Sequence, residues 1–138
     1  MKPSHIEHIG IAVANLESAI TLFEKILGQP CYSIEEVTDQ RVRTAFFKVG
    51  ETKIELLQST DPEGPIGKFI EKKGEGIHHI AFAVQDLAGN LGEASDHGIK
   101  LIDEKPRKGA EGLDIAFLHP KSTNGVLIEF CEDKNKRL

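Results

Sequence analysis

Two short segments of the chain alternate bulky apolar residues with small or polar ones, a period of two that is typical of half-buried β-strands. In each segment one face carries a histidine among small residues, His8 in the first and His79 in the second. The opposite face carries Ile9, Ile11 and Val13 in the first segment and Ile80, Phe82 and Val84 in the second. The bulky face predicts cover from another element, whereas the face with the histidine leaves space beside it.

These segments belong to an internal repeat. His5–Leu16 aligns with Gly76–Leu87 at an offset of 71 residues, and six of the twelve positions are identical. An apolar stripe with helical spacing follows each segment, capped by Asn15 in the first copy and by Asp86 in the second. Three strand-like segments then follow each helix, near Cys31–Val37, Val42–Val49 and Lys53–Gln58 in the first copy and near Lys100–Asp103, Asp114–Leu118 and Gly125–Cys131 in the second.

This order of elements predicts an α+β fold class made of two βαβββ modules. We expect a single domain over residues 1–138, with module one at about 5–60 and module two at about 76–132. A short helix at about 64–74 joins the modules, because glycines bracket a segment with helical character there.

The composition limits the classes of partner that this protein is expected to bind. The 138 residues include 17 basic and 22 acidic side chains, a formal net charge of −5, which excludes nucleic acid as the expected partner. No apolar run approaches the roughly 18–20 residues that cross a bilayer, and the first residues lack the apolar centre of a signal peptide. We therefore expect no membrane partner and a cytoplasmic location. Cys31 and Cys131 have no paired spacing, which favours small core residues over a disulfide.

Four residues recur at matching positions, His8 and Glu55 in module one and His79 and Glu129 in module two. A single histidine or glutamate on a strand is usually packed or solvent-facing, but the repetition of both residue types favours a shared role. An ionised carboxylate inside an apolar strand is costly unless it is paired or bound to a metal. Two imidazoles and two carboxylates suit a borderline divalent cation such as Co²⁺, Ni²⁺, Zn²⁺ or Mn²⁺. His78 has the parity of the bulky face, so we expect it to point away from this site.

The repeat and its histidines resemble the vicinal oxygen chelate superfamily, which includes glyoxalase I, extradiol dioxygenases and methylmalonyl-CoA epimerases. Its fold pairs βαβββ modules into curled sheets around a metal. The chain is most similar to the epimerase branch, and the resemblance covers nearly its whole length. The matching stretches are His8–Val13, Gly74–Phe82, and Phe117–Lys121 followed by Gly125–Glu129.

The resemblance implies both an activity and its residues. Enzymes of this branch interconvert the (R) and (S) forms of methylmalonyl-CoA by removing and returning the C2 proton through a metal-stabilised enolate. By this resemblance His8, Glu55, His79 and Glu129 are the metal ligands, Co²⁺ is the expected ion, and Glu129 is also a catalytic acid/base. The resemblance further implies a homodimer that binds an acyl-CoA. Some members have a second catalytic glutamate where this chain has Thr44, so the second acid/base stays open between Glu55, a metal-bound water and another residue. The residues that hold CoA stay open as well.

Other functions are compatible with parts of this pattern. A glyoxalase I-type lactoylglutathione lyase is the alternative, because it would use the same four ligands and the same kind of proton shuttle. An extradiol dioxygenase needs a site of two histidines and one carboxylate with open positions, and usually a longer chain. A ligand-sequestering protein on this fold typically lacks the metal residues, all of which are present here. Which metal is native, and whether the modules pair within one chain or across a dimer, stay open.

Overall fold

The structure is a computed structural model that describes residues 1–136. Its strands are β1 (His5–Ala12), β2 (Ser33–Val37), β3 (Val42–Val49), β4 (Thr52–Ser59), β5 (Gly76–Ala83), β6 (Arg107–Lys108), β7 (Asp114–Leu118) and β8 (Ile128–Glu132). Its helices are α1 (Leu16–Leu27), α2 (Pro65–Lys73) and α3 (Leu87–Asp96). The order β-α-β-β-β therefore occurs twice, with α2 between the two copies, and this confirms the predicted order of elements.

The chain forms two compact units, which we call the first unit (Ile9–His78) and the second unit (Met1–His8 together with the chain from His79 onward). In the first unit the antiparallel strands β2, β3 and β4 lie side by side, and β1 is the neighbour of β4 in the sheet. In the second unit β5 pairs with β8 in parallel, and β8, β7 and β6 are antiparallel neighbours. Each unit is thus a small sheet with one long helix.

Helix α1 covers one face of the sheet in the first unit. Asn15 caps it by accepting a hydrogen bond from the Ser18 amide, and Gly28 ends it in the left-handed conformation that glycine adopts without strain. The helix packs on the face that the bulky strand residues predict, in a core that includes Val13, Leu16, Ala45, Phe47 and Leu56. The opposite face of β2–β4 carries Thr44, Phe46 and Glu55, which are buried although α1 does not cover them.

Helix α3 covers one face of the sheet in the second unit. Asp86 caps it through the Gly89 amide, and a Cβ atom at Gly89 would lie only 2.2 Å from the capping carboxylate. That oxygen is the end of a flexible side chain and can turn aside, so the cap does not require glycine here, and the glycine lowers the intrinsic stability of the helix. The core under α3 contains Val84, Leu87, Leu91, Ala94, Ala116, Leu118 and Phe130.

The strand predicted near Lys100–Asp103 does not form. Only Leu101 makes a bridge, to Leu118, and the short strand β6 lies further along the chain at Arg107–Lys108. Side-chain competition explains the difference, because the Asp103 carboxylate accepts the Phe117 amide and the chain turns there. The last strand also begins later than predicted, at Ile128, because Asn124 and Gly125 form a left-handed turn.

The helices found in residues 1–136 lack the combination of length and apolar character that a membrane span requires.

Candidate metal centre

Three of the four predicted ligands lie together in the second unit. His8 comes from β1, His79 from β5 and Glu129 from β8, where Glu129 is paired in register with Ala81. All three side chains are buried, with 5%, 7% and 4% of their surface exposed. Alternation along β5 places His79 on the same face as the small residue Ala81. That face leaves room for the imidazole and carboxylate groups to meet.

Their polar atoms converge on one point. His8 Nε2 lies 3.0 Å from His79 Nε2, and Glu129 Oε1 lies 3.1 Å from His79 Nε2 and 3.6 Å from His8 Nε2. The two imidazole rings meet edge to face, with centroids 5.0 Å apart and an angle of 89° between their planes. The cluster therefore presents three electron-pair donors to a shared space.

The chemistry of this donor set fits a divalent cation. Ligand atoms that share one ion at about 2.0–2.2 Å are themselves separated by roughly 3–3.6 Å in tetrahedral or octahedral geometry. The three separations in the cluster fall in this range. Without an ion, a proton on one of the two Nε2 atoms joins the imidazoles in a hydrogen bond. A divalent cation can take the place of that proton between the two nitrogens and the carboxylate oxygen, so the residues present suit the expected metal.

Glu129 is held in its ionised form. Burial by itself would raise the pKa of this carboxyl, but the neighbouring imidazoles of His8 and His79 outweigh that effect and hold the pKa well below its usual range. The second oxygen, Oε2, accepts a hydrogen bond from the Cys131 thiol at 2.8 Å. Glu129 thus has one oxygen turned to the histidines and the other fixed by a neighbour on its own strand.

Glu55 lies in the first unit, where it is buried on β4 opposite Phe46 of β3. Its backbone setting repeats that of Glu129, which lies opposite Phe117 of β7. The repeat extends to single hydrogen bonds, because the Val13 amide donates to Leu57 O as the Val84 amide donates to Cys131 O. The structure thus groups His8, His79 and Glu129, while Glu55 stays a predicted ligand at the equivalent position of the other module.

Two side chains beside the cluster were not singled out from the sequence. Glu7 Oε1 lies 2.5 Å from His8 Nδ1, and Cys131 contacts Glu129 as described above. Both are close in sequence to predicted ligands, but adjacency alone does not separate a partner from a packed residue. Which side chains contact each other depends on rotamers, and a single sequence carries no clear signal of these.

The remaining histidines have other contacts. His78 packs edge to face against Phe69 at a centroid distance of 5.0 Å, so it points away from the cluster as its parity predicts. His119 Nδ1 accepts a hydrogen bond from the Lys121 amide and caps the short helix that begins at Pro120.

Thr44 is fully buried on β3 and has a carboxylate neighbour. In the register of the first unit, Thr44 lies opposite Glu35 of β2 on one side and Leu57 of β4 on the other. Paired residues share a face, so Glu35, Thr44 and Glu55 all lie on the face that α1 does not cover. Glu35 is half-buried there.

Comparison with known proteins identifies the family. Residues 7–117 match the family model described as the Glyoxalase/Bleomycin resistance protein/Dioxygenase superfamily. The chain belongs to this superfamily. An ethylmalonyl-CoA/methylmalonyl-CoA epimerase of Cereibacter sphaeroides is 35% identical, over 90% of this chain and 94% of its own length. The uncharacterized protein YqjC of Bacillus subtilis is 44% identical, over 95% of this chain and 94% of its own.

A solved structure supports the same assignment. A methylmalonyl-CoA epimerase in complex with methylmalonyl-CoA and NH4+ superposes with a TM-score of 0.92 at 33% identity, and 96% of each chain is covered. The predicted fold class, two βαβββ modules of the superfamily, is therefore confirmed. The resemblance to the methylmalonyl-CoA epimerase branch is confirmed as well.

Proposed function

We propose that this protein is an isomerase that interconverts the (R) and (S) forms of methylmalonyl-CoA by removing and returning the C2 proton. The observation that supports this most is the match, over at least 90% of the chain, to relatives and structures named as epimerases of this substrate. The buried cluster of two histidines and a carboxylate gives that match a chemical basis.

We propose that His8, Glu55, His79 and Glu129 hold one divalent cation, with Co²⁺ as the expected ion and Ni²⁺, Mn²⁺ or Zn²⁺ as alternatives. With both glutamates ionised and both histidines neutral, this set balances the charge of the ion. When bound, the cation supplies Lewis-acid stabilisation for the negative charge that develops on the substrate oxygens. The convergence of His8, His79 and Glu129 supports the set, whereas Glu55 rests on the resemblance and the repeat.

Glu129 is the proposed catalytic acid/base. The C2 hydrogen lies between a thioester and a carboxylate, so its removal gives an enolate, and a carboxylate placed beside it can accept the proton. Glu129 is ionised because contacts with His8 and His79 lower its pKa, and an ionised carboxylate can accept a proton, although the lowered pKa makes it a weaker base. The Cys131 thiol restrains Oε2, which limits rotation of the carboxylate.

Inversion also needs a group that serves the opposite face of the substrate. Thr44 carries no carboxylate, so another residue has to take this role. Glu55 and Glu35 are the candidates in the first unit, because both are carboxylates on the face of β2–β4 that α1 does not cover. Glu35 lies directly opposite Thr44 in register.

The oligomeric state, the substrate class and the cellular location are also proposals. A homodimer is supported by the large apolar side chains that stay exposed on both units, among them Leu22, Ile26 and Val126, which a second copy would cover. Sedimentation at micromolar concentration is expected to show a dimer, and a monomer would contradict it. The substrate is an acyl-CoA, and we expect a cytoplasmic location.

A paired assay tests the proposed function. Purified protein loaded with Co²⁺ is given each enantiomer of methylmalonyl-CoA in one experiment and the glutathione hemithioacetal of methylglyoxal in another. We expect interconversion of the enantiomers and no product from the hemithioacetal. Product from the hemithioacetal alone would replace the epimerase proposal with a lactoylglutathione lyase.

A further inference from the structure

Glu7 and His8 are neighbours on β1, and their side chains are in contact. Glu7 Oε1 lies 2.5 Å from His8 Nδ1, and the side chains are only 12% and 5% exposed. Neighbouring side chains on a strand normally point to opposite faces. The contact therefore reflects a specific pair of rotamers rather than simple adjacency, and it is shielded from water.

We propose that Glu7 is a positioning residue, which fixes the His8 imidazole for metal binding. A carboxylate can only accept a hydrogen bond, so the proton of the neutral imidazole lies on Nδ1. The lone pair is then on Nε2, the atom that lies 3.0 Å from His79 Nε2 and 3.6 Å from Glu129 Oε1. This inference rests on the proposed metal centre and extends it to a residue outside the ligand set.

The hydrogen bond has two physical effects. It selects one tautomer, so no free energy is lost in moving the proton when an ion binds. It also increases the electron density of the ring, because a negatively charged acceptor stabilises the polarised N–H. Loss of such a carboxylate partner typically weakens metal binding by about 10–100-fold.

A competing interpretation is that Glu7 is itself a ligand. Glu7, His8 and Cys131 offer ligand atoms that all lie within 4.8 Å of one another, and in this interpretation the three residues hold a second ion beside His8. This arrangement requires Nδ1 to be unprotonated and the Cys131 thiol to leave Glu129. The two interpretations predict different stoichiometries, because a second ion adds one equivalent per chain.

The experiment compares wild type, Glu7→Gln, Glu7→Ala and a control, Glu75→Gln. Glu75 is a suitable control because its carboxylate also accepts a hydrogen bond, from the Ala14 amide at 2.8 Å. Each protein is stripped of metal and titrated with Co²⁺ against a chelator of known affinity, which gives both the dissociation constant and the stoichiometry. Nitrogen-15 NMR of the histidine rings reports the tautomer of His8 in the metal-free proteins.

We expect Glu7→Gln and Glu7→Ala to bind one equivalent of Co²⁺ about 10–100-fold more weakly than wild type, with Glu75→Gln unchanged. The His8 proton is expected on Nδ1 in wild type and distributed over both nitrogens in Glu7→Ala. Wild-type affinity in both Glu7 variants would overturn the inference, as would a fall from two equivalents to one.

Epimerisation, measured separately, distinguishes this inference from the proposed function. Glu7-dependent Co²⁺ affinity in a protein that does not epimerise methylmalonyl-CoA would keep the inference and remove the function. Epimerisation with Co²⁺ affinity that is independent of Glu7 would do the reverse.

Discussion

The two modules repeat each other in backbone but differ in the neighbours of their equivalent side chains. Phe46 and Phe117 occupy the same position, each opposite a buried glutamate, yet Phe46 packs against Tyr32 whereas Phe117 packs against the ring of His79. Arg107 of the neighbouring strand β6 places its guanidinium over the Phe117 ring. The internal repeat therefore determines where residues lie along the strands, but equivalent residues contact different side chains in the two modules.

The carboxylates show the same contrast. Glu129 contacts His79 and His8 and accepts a hydrogen bond from Cys131, which stands where the first module has Leu57. Glu55 has the same register on β4 without a thiol two residues later. We therefore expect the second module to supply Glu129 as one acid/base, and the first module to supply the group that serves the opposite face of the substrate.

Loss of a histidine ligand has the largest expected effect. His79→Ala should remove the bound metal and reduce epimerisation to background, because only two of the three converging donors would remain, His8 and Glu129. His78→Ala is the matched control, because the His78 ring packs against Phe69. This variant should keep a metal content near one ion per chain. Metal analysis of the purified variants decides between them. Retention of metal by His79→Ala and its loss from His78→Ala would reverse our assignment of the strand faces.

Glu129→Gln should affect catalysis more than metal binding. The amide keeps an oxygen for coordination but cannot accept the C2 proton, and loss of a positioned base typically costs about 10²–10⁴-fold in rate. Metal content and epimerisation rate are measured on the same sample. A metal-loaded Glu129→Gln protein with a near-normal rate would show that Glu129 is only a ligand.

Glu35→Gln tests whether the first module supplies the second acid/base. We expect epimerisation to fall by about 10²-fold, the lower end of the usual contribution of a general acid or base. Exchange of the C2 proton of one enantiomer should continue, because Glu129 still serves its own face. Glu36→Gln is the control, as its side chain lies on the opposite face of β2 and is exposed. Equal rates in both variants would leave Glu55 as the candidate.

The smallest expected effect is on stability and depends on pH. Asp114 is buried on β7, and the hydrogen bond from Lys108, with another from Lys134, outweighs burial and lowers the pKa of its carboxyl. A lowered folded-state pKa stabilises the protein above the unfolded pKa of about 3.9, and this stabilisation is lost as pH falls through the folded value. Asp114→Asn should thus cost about 1–2 kcal/mol of unfolding free energy at pH 7 and much less near pH 2.

The first module offers the control for this prediction. Arg43 stands at the position equivalent to Asp114 and forms an exposed ion pair with Glu17 at 3.2 Å. Exposed pairs contribute little to stability, so Glu17→Gln should leave urea unfolding nearly unchanged at both pH values. A pH-independent loss in Asp114→Asn would indicate a packing defect instead of a lost charge interaction.

The order of elements and the positions of the two histidines could be predicted from the sequence, because the repeat shows the same pattern twice. Alternation placed His8 and His79 on faces with small residues, and both are buried there. The prediction of a strand near Lys100–Asp103 is wrong. The pattern of apolar residues does not reveal that the Asp103 carboxylate accepts a hydrogen bond from the Phe117 amide. The contacts of Glu7 and Cys131 were also beyond prediction, since they depend on side-chain rotamers and on strands that are distant in sequence.

Proton exchange at C2 is the most direct test of the central claim. The Co²⁺-loaded protein is incubated in D₂O with each enantiomer of methylmalonyl-CoA, and proton NMR follows the C2 signal and the methyl group beside it. We predict that deuterium enters C2 from both enantiomers and that the mixture becomes racemic, with both processes abolished in His79→Ala. Retention of the C2 proton by both enantiomers in the presence of metal-loaded wild-type protein would contradict the proposed epimerase.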